Sequence, residues 1–140
     1  MTKGIENIPQ NNTGMKIEIP ENLKDFSVEY GEELKDNETP LQDLKMVENA
    51  IKVVEDPDVG VDVFNLGLIY DHRLDKKGNV IVDMTLTSPT CPYGEQLINA
   101  VAISISDLEG VGKVTVNLIW EPQWTMERLS DEARFDLDLL

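Results

Sequence analysis

Two alternating apolar segments joined by a short polar turn constrain the fold of this chain more than any other feature. The alternating positions are Leu66, Leu68, Tyr70, His72 and Leu74 in the first segment and Val80, Val82, Met84 and Leu86 in the second. A period of two predicts strands, and the intervening Asp75-Lys76-Lys77-Gly78-Asn79 is typical of a turn. The two segments therefore predict a β-hairpin with one apolar face and one polar face.

Helical patterns flank this hairpin on both sides. Apolar residues recur at helical spacing over residues 40–54, with Thr39 as the expected N-cap and Pro40 at the first helical position. A second helix is predicted from Pro92 to about residue 108, before two glycines. A third alternating strand is expected at 114–120, and a short helix could occupy 131–140.

The predicted order of elements is α-β-β-α-β. Because the second helix is long enough for a crossover, the strands before and after it are expected to run parallel. The sequence thus predicts an α/β (α+β) fold, a two-layer sandwich whose three-stranded mixed sheet carries both helices on one face. The open face, with Thr115 and Asn117, could be solvated or could form a dimer contact.

The first 40 residues differ in composition from the rest of the chain. They carry nine acidic and four basic side chains and few large apolar ones, which predicts an acidic N-terminal extension, disordered or loosely packed. The folded domain is then expected at 41–140. Two short stretches of period two, 15–19 and 26–30, could instead add a strand to a sheet edge or dock on a partner.

The charge of the chain excludes several classes of partner. A formal charge of −15 argues against binding nucleic acid or an anionic membrane surface. No run of 18 apolar residues is present, and residues 1–10 do not resemble a secretion signal. We therefore expect a cytoplasmic protein, and a single cysteine fits a reducing compartment.

That single cysteine, Cys91, lies in Thr87-Ser88-Pro89-Thr90-Cys91-Pro92, between a strand and a helix. With Pro92 at the first helical position, Cys91 would be the N-cap, where free backbone N–H groups favour a thiolate of low pKa. Such a thiolate could be a soft-metal ligand or a nucleophile. Alternatively, Cys91 is a small buried apolar residue.

Four further residues could share a site with Cys91 if their loops meet at one end of the sheet. Asp56 and Asp58 follow the first helix, and Thr87 and Ser88 follow the second strand. Together with the thiol they would form a polar pocket able to hold a metal or orient a reacting group. The alternative is that these residues only terminate one helix and cap another.

Other chemistry finds little support in the sequence. His72 is the only histidine and lies on the apolar side of its strand, which favours a core or dimer-facing role over catalysis. A dithiol oxidoreductase would need a second cysteine. The segment Trp120-Glu121-Pro122-Gln123-Trp124 could cap the core or flank the pocket, and core capping is the preferred interpretation.

Five ordered segments resemble the SufT-type iron–sulfur maturation factors, a family with PaaD-like proteins and a domain fused to some Mrp-type ATPases. They are Asp56-Pro57-Asp58, residues 61–71, Met84 to Pro92, Gly110-Val111, and Trp120 to Trp124, within residues 41–135. The resemblance implies a role in assembling iron–sulfur clusters or delivering them to recipient apo-proteins, with Cys91 as metal ligand. It also implies that Asp56, Asp58, Thr87 and Ser88 line the site. The family often has Glu in place of Asp58 and Thr in place of Ser88, differences that keep the functional group and change only the size of the side chain.

One thiolate cannot enclose a cluster, which normally takes four such ligands. A labile cluster or iron would be shared with a second copy of this chain, with a recipient protein or with a small thiol. The preferred hypothesis is a non-enzymatic adaptor that works with the iron–sulfur assembly machinery and uses Cys91 as a transient ligand. The alternatives are a protein-binding module with a structural Cys91, and a thiol enzyme with Cys91 as nucleophile oriented by Asp56.

Overall fold

The computed structural model describes residues 18–139, and a four-stranded sheet lies at their centre. The strands are β1 (Ser27–Tyr30), β2 (Ile69–Leu74), β3 (Val80–Met84) and β4 (Val114–Leu118), in the spatial order β1-β4-β3-β2. The helices are α1 (Leu44–Ile51), α2 (Gly94–Ser106) and α3 (Asp131–Asp136), with single 3₁₀ turns at Glu21–Leu23 and Met126–Arg128. No helix between residues 18 and 139 is long and apolar enough to cross a membrane.

The predicted hairpin is confirmed. β2 and β3 are antiparallel, with His72 opposite Val82 and an irregularity in the ladder between Ile69 and Asp71. The turn between them is closed by the carboxylate of Asp75, which accepts hydrogen bonds from the backbone N–H of Lys77 (2.8 Å) and of Asn79 (2.9 Å). A short polar side chain that replaces backbone partners in this way is a common reason for aspartate in turns.

The predicted crossover is also confirmed. β3 and β4 run parallel, with Val82 beside Val116, and α2 connects them. The alternating residues of both strands that face α2 are fully buried, and they meet the buried residues of the helices in one core. Asp83 and Asn117 lie on the other face of the sheet, where the amide of Asn117 donates to the carboxylate of Asp83 at 3.0 Å.

The sheet has a fourth strand, so the predicted count of three was wrong. β1 comes from the N-terminal segment and pairs antiparallel with β4, with Val28 opposite Val116. Val28 and Tyr30 pack against the core, and the hydroxyl of Tyr30 donates to the side-chain carbonyl of Asn99 on α2 at 3.0 Å. The alternation at 26–30 therefore forms an edge strand, one of the two outcomes open from the sequence. Residues 15–17 of the other stretch lie outside the described residues, and the domain boundary at residue 40 stays a prediction.

Both main helices begin later than their proline signals indicated. α1 starts at Leu44, where the carboxylate of Asp43 accepts a hydrogen bond from the N–H of Lys45 at 3.0 Å. Thr39 and Pro40 precede the helix, because the N–H of Leu41 donates to the carbonyl of Gly110 at 2.8 Å and ties this segment to another loop. Thr39 and Asp43 are both suitable N-cap residues for this helix. The hydrogen bond between Leu41 and Gly110 favours the later start at Leu44.

Candidate functional site

The loop after α1 is organised around Asp56. Its carboxylate accepts a hydrogen bond from the N–H of Asp58 at 2.9 Å, and its carbonyl accepts from the N–H groups of Val59 (3.2 Å) and Gly60 (2.8 Å). Its own N–H donates to the carbonyl of Val61 at 3.0 Å, which closes the loop. These bonds fix a tight turn in which the Asp56 side chain points inward and Asp58 remains exposed.

Asp56 is an ionisable group in a buried position, with only 2% of its surface exposed. Burial raises the pKa of its carboxyl group, the hydrogen bond from Asp58 N–H lowers it, and the charge of Asp58 raises it again. The net effect on the pKa is upward. The fold thus holds a carboxylate where its charge is costly, which is a frequent property of functional residues.

The loop between β3 and α2 carries the other three predicted residues. Thr87 is buried, whereas Ser88 and Cys91 are partly exposed. The carbonyl of Ser88 accepts from the N–H of Cys91 at 3.2 Å, and the hydroxyl oxygens of Ser88 and Thr90 are 2.8 Å apart. Cys91 is therefore held by a compact turn.

Cys91 is not the N-cap of α2, so that prediction was wrong. The helix begins at Gly94, its N-cap residue is Tyr93, and Pro92 lies in the preceding turn. A side chain at Gly94 would place its Cβ 2.6 Å from a methyl group of Leu86. Gly94 therefore packs closely on Leu86 at the first residue of the helix, a long-range contact that a local capping pattern does not contain.

The expected low-pKa thiolate is also not what the structure shows. Burial raises the pKa of the Cys91 thiol above its ordinary value, and a hydrogen bond from the backbone N–H of Tyr93 lowers it. The charges of Asp56 and Asp58 raise this pKa further, so the net shift is upward. One backbone N–H at the start of α2 does reach the sulfur, but it is outweighed by burial and by the two carboxylates.

The charges of Asp56 and Asp58 both act on the Cys91 thiol, and the shared site of the five predicted residues stays a prediction. The thiol also lines a solvent-accessible pocket of about 260 Å³. Its walls are Pro20, Asn22, Leu23, Pro89, Thr90, Cys91, Pro92, Gly94, Glu95 and Gln96. Of the five residues predicted for the site, Cys91 alone lines this pocket.

Sequence reasoning missed the N-terminal wall of this pocket, formed by Pro20, Asn22 and Leu23. The indole N–H of Trp120 donates to the carbonyl of Leu23 at 3.2 Å, so one residue of the Trp120–Trp124 segment supports that wall. The other tryptophan, Trp124, is 2% exposed and donates to the carbonyl of Leu66 at 2.8 Å, which confirms a core-capping role.

His72 lies at the edge of the core rather than in the site. Its Nε2 is 3.1 Å from a carboxylate oxygen of Glu48 on α1, and its ring meets Phe64 edge to face. It therefore joins β2 to the helix layer, as the placement on the apolar side of the strand indicated.

Residues 18–139 contain no group of three or more histidine, cysteine or acidic side chains placed to hold a metal ion. One thiol with two nearby carboxylates does not make the ligand set of a resident iron–sulfur centre.

These features define a class: a small α/β domain with one partly exposed thiol in the loop before its long helix. The chain belongs to the iron–sulfur cluster assembly protein family, whose family model matches residues 44–117.

Comparisons with known proteins agree with this assignment. The chain is 40% identical over 85 residues to the Fe-S protein maturation auxiliary factor SufT of Staphylococcus aureus, covering 61% of this chain and 97% of that protein. It is 36% identical over 100 residues to an Fe-S protein maturation auxiliary factor of Porphyromonas gingivalis, covering 71% of this chain and 95% of the relative. A solved structure of a domain of unknown function from Bacillus anthracis has a TM-score of 0.64 and 35% identity, over 69% of this chain and 92% of that one.

Proposed function

We propose that this protein is an accessory factor that helps deliver iron or iron–sulfur clusters to recipient apo-proteins, with Cys91 as a transient ligand. The observation that carries the proposal is a partly exposed thiol that lines a solvent-accessible pocket and is close enough to two carboxylates to be affected by their charge. Family membership supports the link to iron–sulfur assembly. The site has the residues of a binding step, and we assign it no catalytic reaction.

The two aspartates give this site its cation preference. In the free protein, Asp56 and Asp58 disfavour the thiolate because like charges repel. A bound cation reverses that effect, since it is attracted by the carboxylates and displaces the thiol proton on coordination. In this proposal Cys91 is the ligand and the charges of Asp56 and Asp58 attract the cargo. Burial and these two charges keep the thiol protonated when no cargo is present.

The remaining ligands must come from outside this chain. Cys91 supplies one thiolate where a cluster normally takes four. The other ligands would belong to a recipient apo-protein, the assembly machinery, a second copy of this chain or a small thiol. Incomplete ligation makes the bound cargo labile, which suits transfer, and we place this transfer in the cytoplasm.

Anaerobic reconstitution with iron and sulfide tests the ligand role. We expect wild type to bind iron with ultraviolet–visible bands from thiolate-to-iron charge transfer, and Cys91→Ala to lose both. The matched control is Thr90→Ala, which truncates a neighbouring side chain of the same pocket and keeps the thiol. Equal bound iron in wild type and Cys91→Ala would remove the ligand role.

The raised pKa of Cys91 favours one second candidate, a protein-binding module in which this residue is structural. In that case Cys91→Ser would leave both recipient binding in a pulldown and maturation of cluster enzymes in cells unchanged. If Cys91 is instead a cargo ligand, the same variant retains recipient binding and loses maturation.

A further inference from the structure

The pocket at Cys91 has two walls that come from distant parts of the chain. One wall is the loop and first turn of α2, residues 89–96, and the other is the N-terminal turn Pro20, Asn22 and Leu23. The family model begins at residue 44, so the N-terminal wall lies outside the matched segment. What can reach the thiol is therefore decided partly by residues that the family pattern does not include.

The N-terminal wall is anchored at several points rather than loosely apposed. The turn is closed by the N–H of Leu23, which donates to the carbonyl of Pro20 at 2.9 Å. Leu23 is only 6% exposed, and its carbonyl accepts the indole N–H of Trp120. Three residues further on, the carbonyl of Phe26 accepts from the N–H of Leu118 at 2.9 Å, where β1 begins to pair with β4.

Asn22 lines the pocket while its own surface is exposed, as does Pro20. Leu23 is buried and holds the turn in place. A substitution at this exposed position is expected to change the stability of the protein little.

We propose that the turn Pro20–Leu23 is a selectivity wall and that Asn22 determines the size of the group that reaches Cys91. The pocket volume of about 260 Å³ is smaller than the roughly 300–1,000 Å³ typical of drug-sized ligands. A partner therefore reaches the thiol with a small protruding group, such as a cluster or iron held on a single projecting ligand. The nature of that cargo rests on the proposed function, but the size selection does not.

Alkylation of Cys91, the only thiol in the chain, measures this selection directly. The rates of iodoacetamide, a small reagent, and of fluorescein maleimide, a bulky one, are compared in wild type, Asn22→Ala and Asn22→Trp. We expect the ratio of the bulky to the small rate to rise roughly threefold in Asn22→Ala and to fall by at least as much in Asn22→Trp. The iodoacetamide rate also reports any change in ionisation of the thiol.

Asn37→Trp is the matched control, because Asn37 is exposed and does not line the Cys91 pocket. This variant should leave the ratio unchanged. A ratio that is the same in wild type and both Asn22 variants would overturn the proposal. If Cys91→Ala binds as much iron as wild type while the Asn22 variants shift the ratio, the proposed function fails and the selectivity wall stands.

Discussion

Replacing Thr85 by valine should stabilise the protein, although the change removes a polar group just after β3. Thr85 is 1% exposed, and its hydroxyl has no hydrogen-bond partner among residues 18–139. Its backbone N–H is already bonded to the carbonyl of Leu68 at 2.8 Å, so the main chain stays satisfied in the variant. The side chain is therefore the source of a desolvation cost that no contact offsets.

The expected gain follows from that cost. A buried hydroxyl without a partner is unfavourable by about 1–3 kcal/mol, and valine has nearly the same shape. We expect the free energy of unfolding to rise by about 1 kcal/mol, since part of the penalty relaxes in the native protein. For a chain of 140 residues this corresponds to an increase in Tm of roughly 3–5 °C.

Thr87 provides a matched comparison two residues away. It is 6% exposed, and unlike Thr85 its side chain is not among the buried groups that lack a partner. The same substitution should therefore lower stability there, by about 1 kcal/mol. Urea unfolding followed by circular dichroism gives both values, with an unchanged m-value as the sign that compactness is preserved. If Thr85→Val is less stable than wild type, or if both variants shift equally in one direction, the reasoning is refuted.

Three further predictions concern the site and the core. Because the folded-state pKa of Asp56 is raised, the charge of its carboxylate lowers the stability of the protein at neutral pH. Asp56→Asn should therefore be more stable than wild type at pH 7. This gain should disappear below about pH 3.9, where the carboxyl group is protonated in both the folded and the unfolded protein. Urea unfolding at both pH values measures this, and a gain that grows as pH falls would contradict the sign. The apparent pKa of the Cys91 thiol, measured from iodoacetamide rates against pH, should lie above the ordinary value of about 8.5. Asp58→Asn should lower this pKa. An unchanged pKa in the variant would mean that the carboxylate does not act on the thiol. Trp124→Phe should lower the free energy of unfolding, measured by urea titration, by about 1–3 kcal/mol. The substitution removes the hydrogen bond to the carbonyl of Leu66 and leaves a void in the core. An unchanged free energy of unfolding would exclude a core-capping role for Trp124.

The hairpin and the crossover could be predicted from sequence because local periodicity determines them. β1 could not be settled in the same way. Its four residues offer only Val28 and Tyr30 to the core, and such a short pattern is equally compatible with a solvated extension. Pairing with β4, which lies far along the chain, supplies the hydrogen bonds that make it a strand.

The candidate site shows the same division between local and long-range information. Spacing placed Cys91 between a strand and a helix, but burial and the carboxylates of the α1 loop determine its pKa. Those contributions depend on how two loops meet, which no spacing encodes. The position of the pocket wall at Asn22 depends even more on long-range contacts. It requires the hydrogen bond between the indole N–H of Trp120 and the carbonyl of Leu23, two residues far apart in the chain.

The upward pKa shift of Cys91 fits the proposed role better than the low pKa expected from the sequence. Thiolates, rather than thiols, are the oxidisable and nucleophilic form, so a protonated Cys91 resists side reactions while no cargo is bound. Burial is the main cause of the raised thiol pKa, and the charges of Asp56 and Asp58, which raise it further, would also attract a cation. In the proposed role, arrival of iron would change the sign of the carboxylates' effect on the thiol, and departure of the cargo would restore it. In the proposed role such a site would bind cargo reversibly because its free state is stable without metal, whereas a permanently ionised cysteine would favour retention and oxidation over transfer.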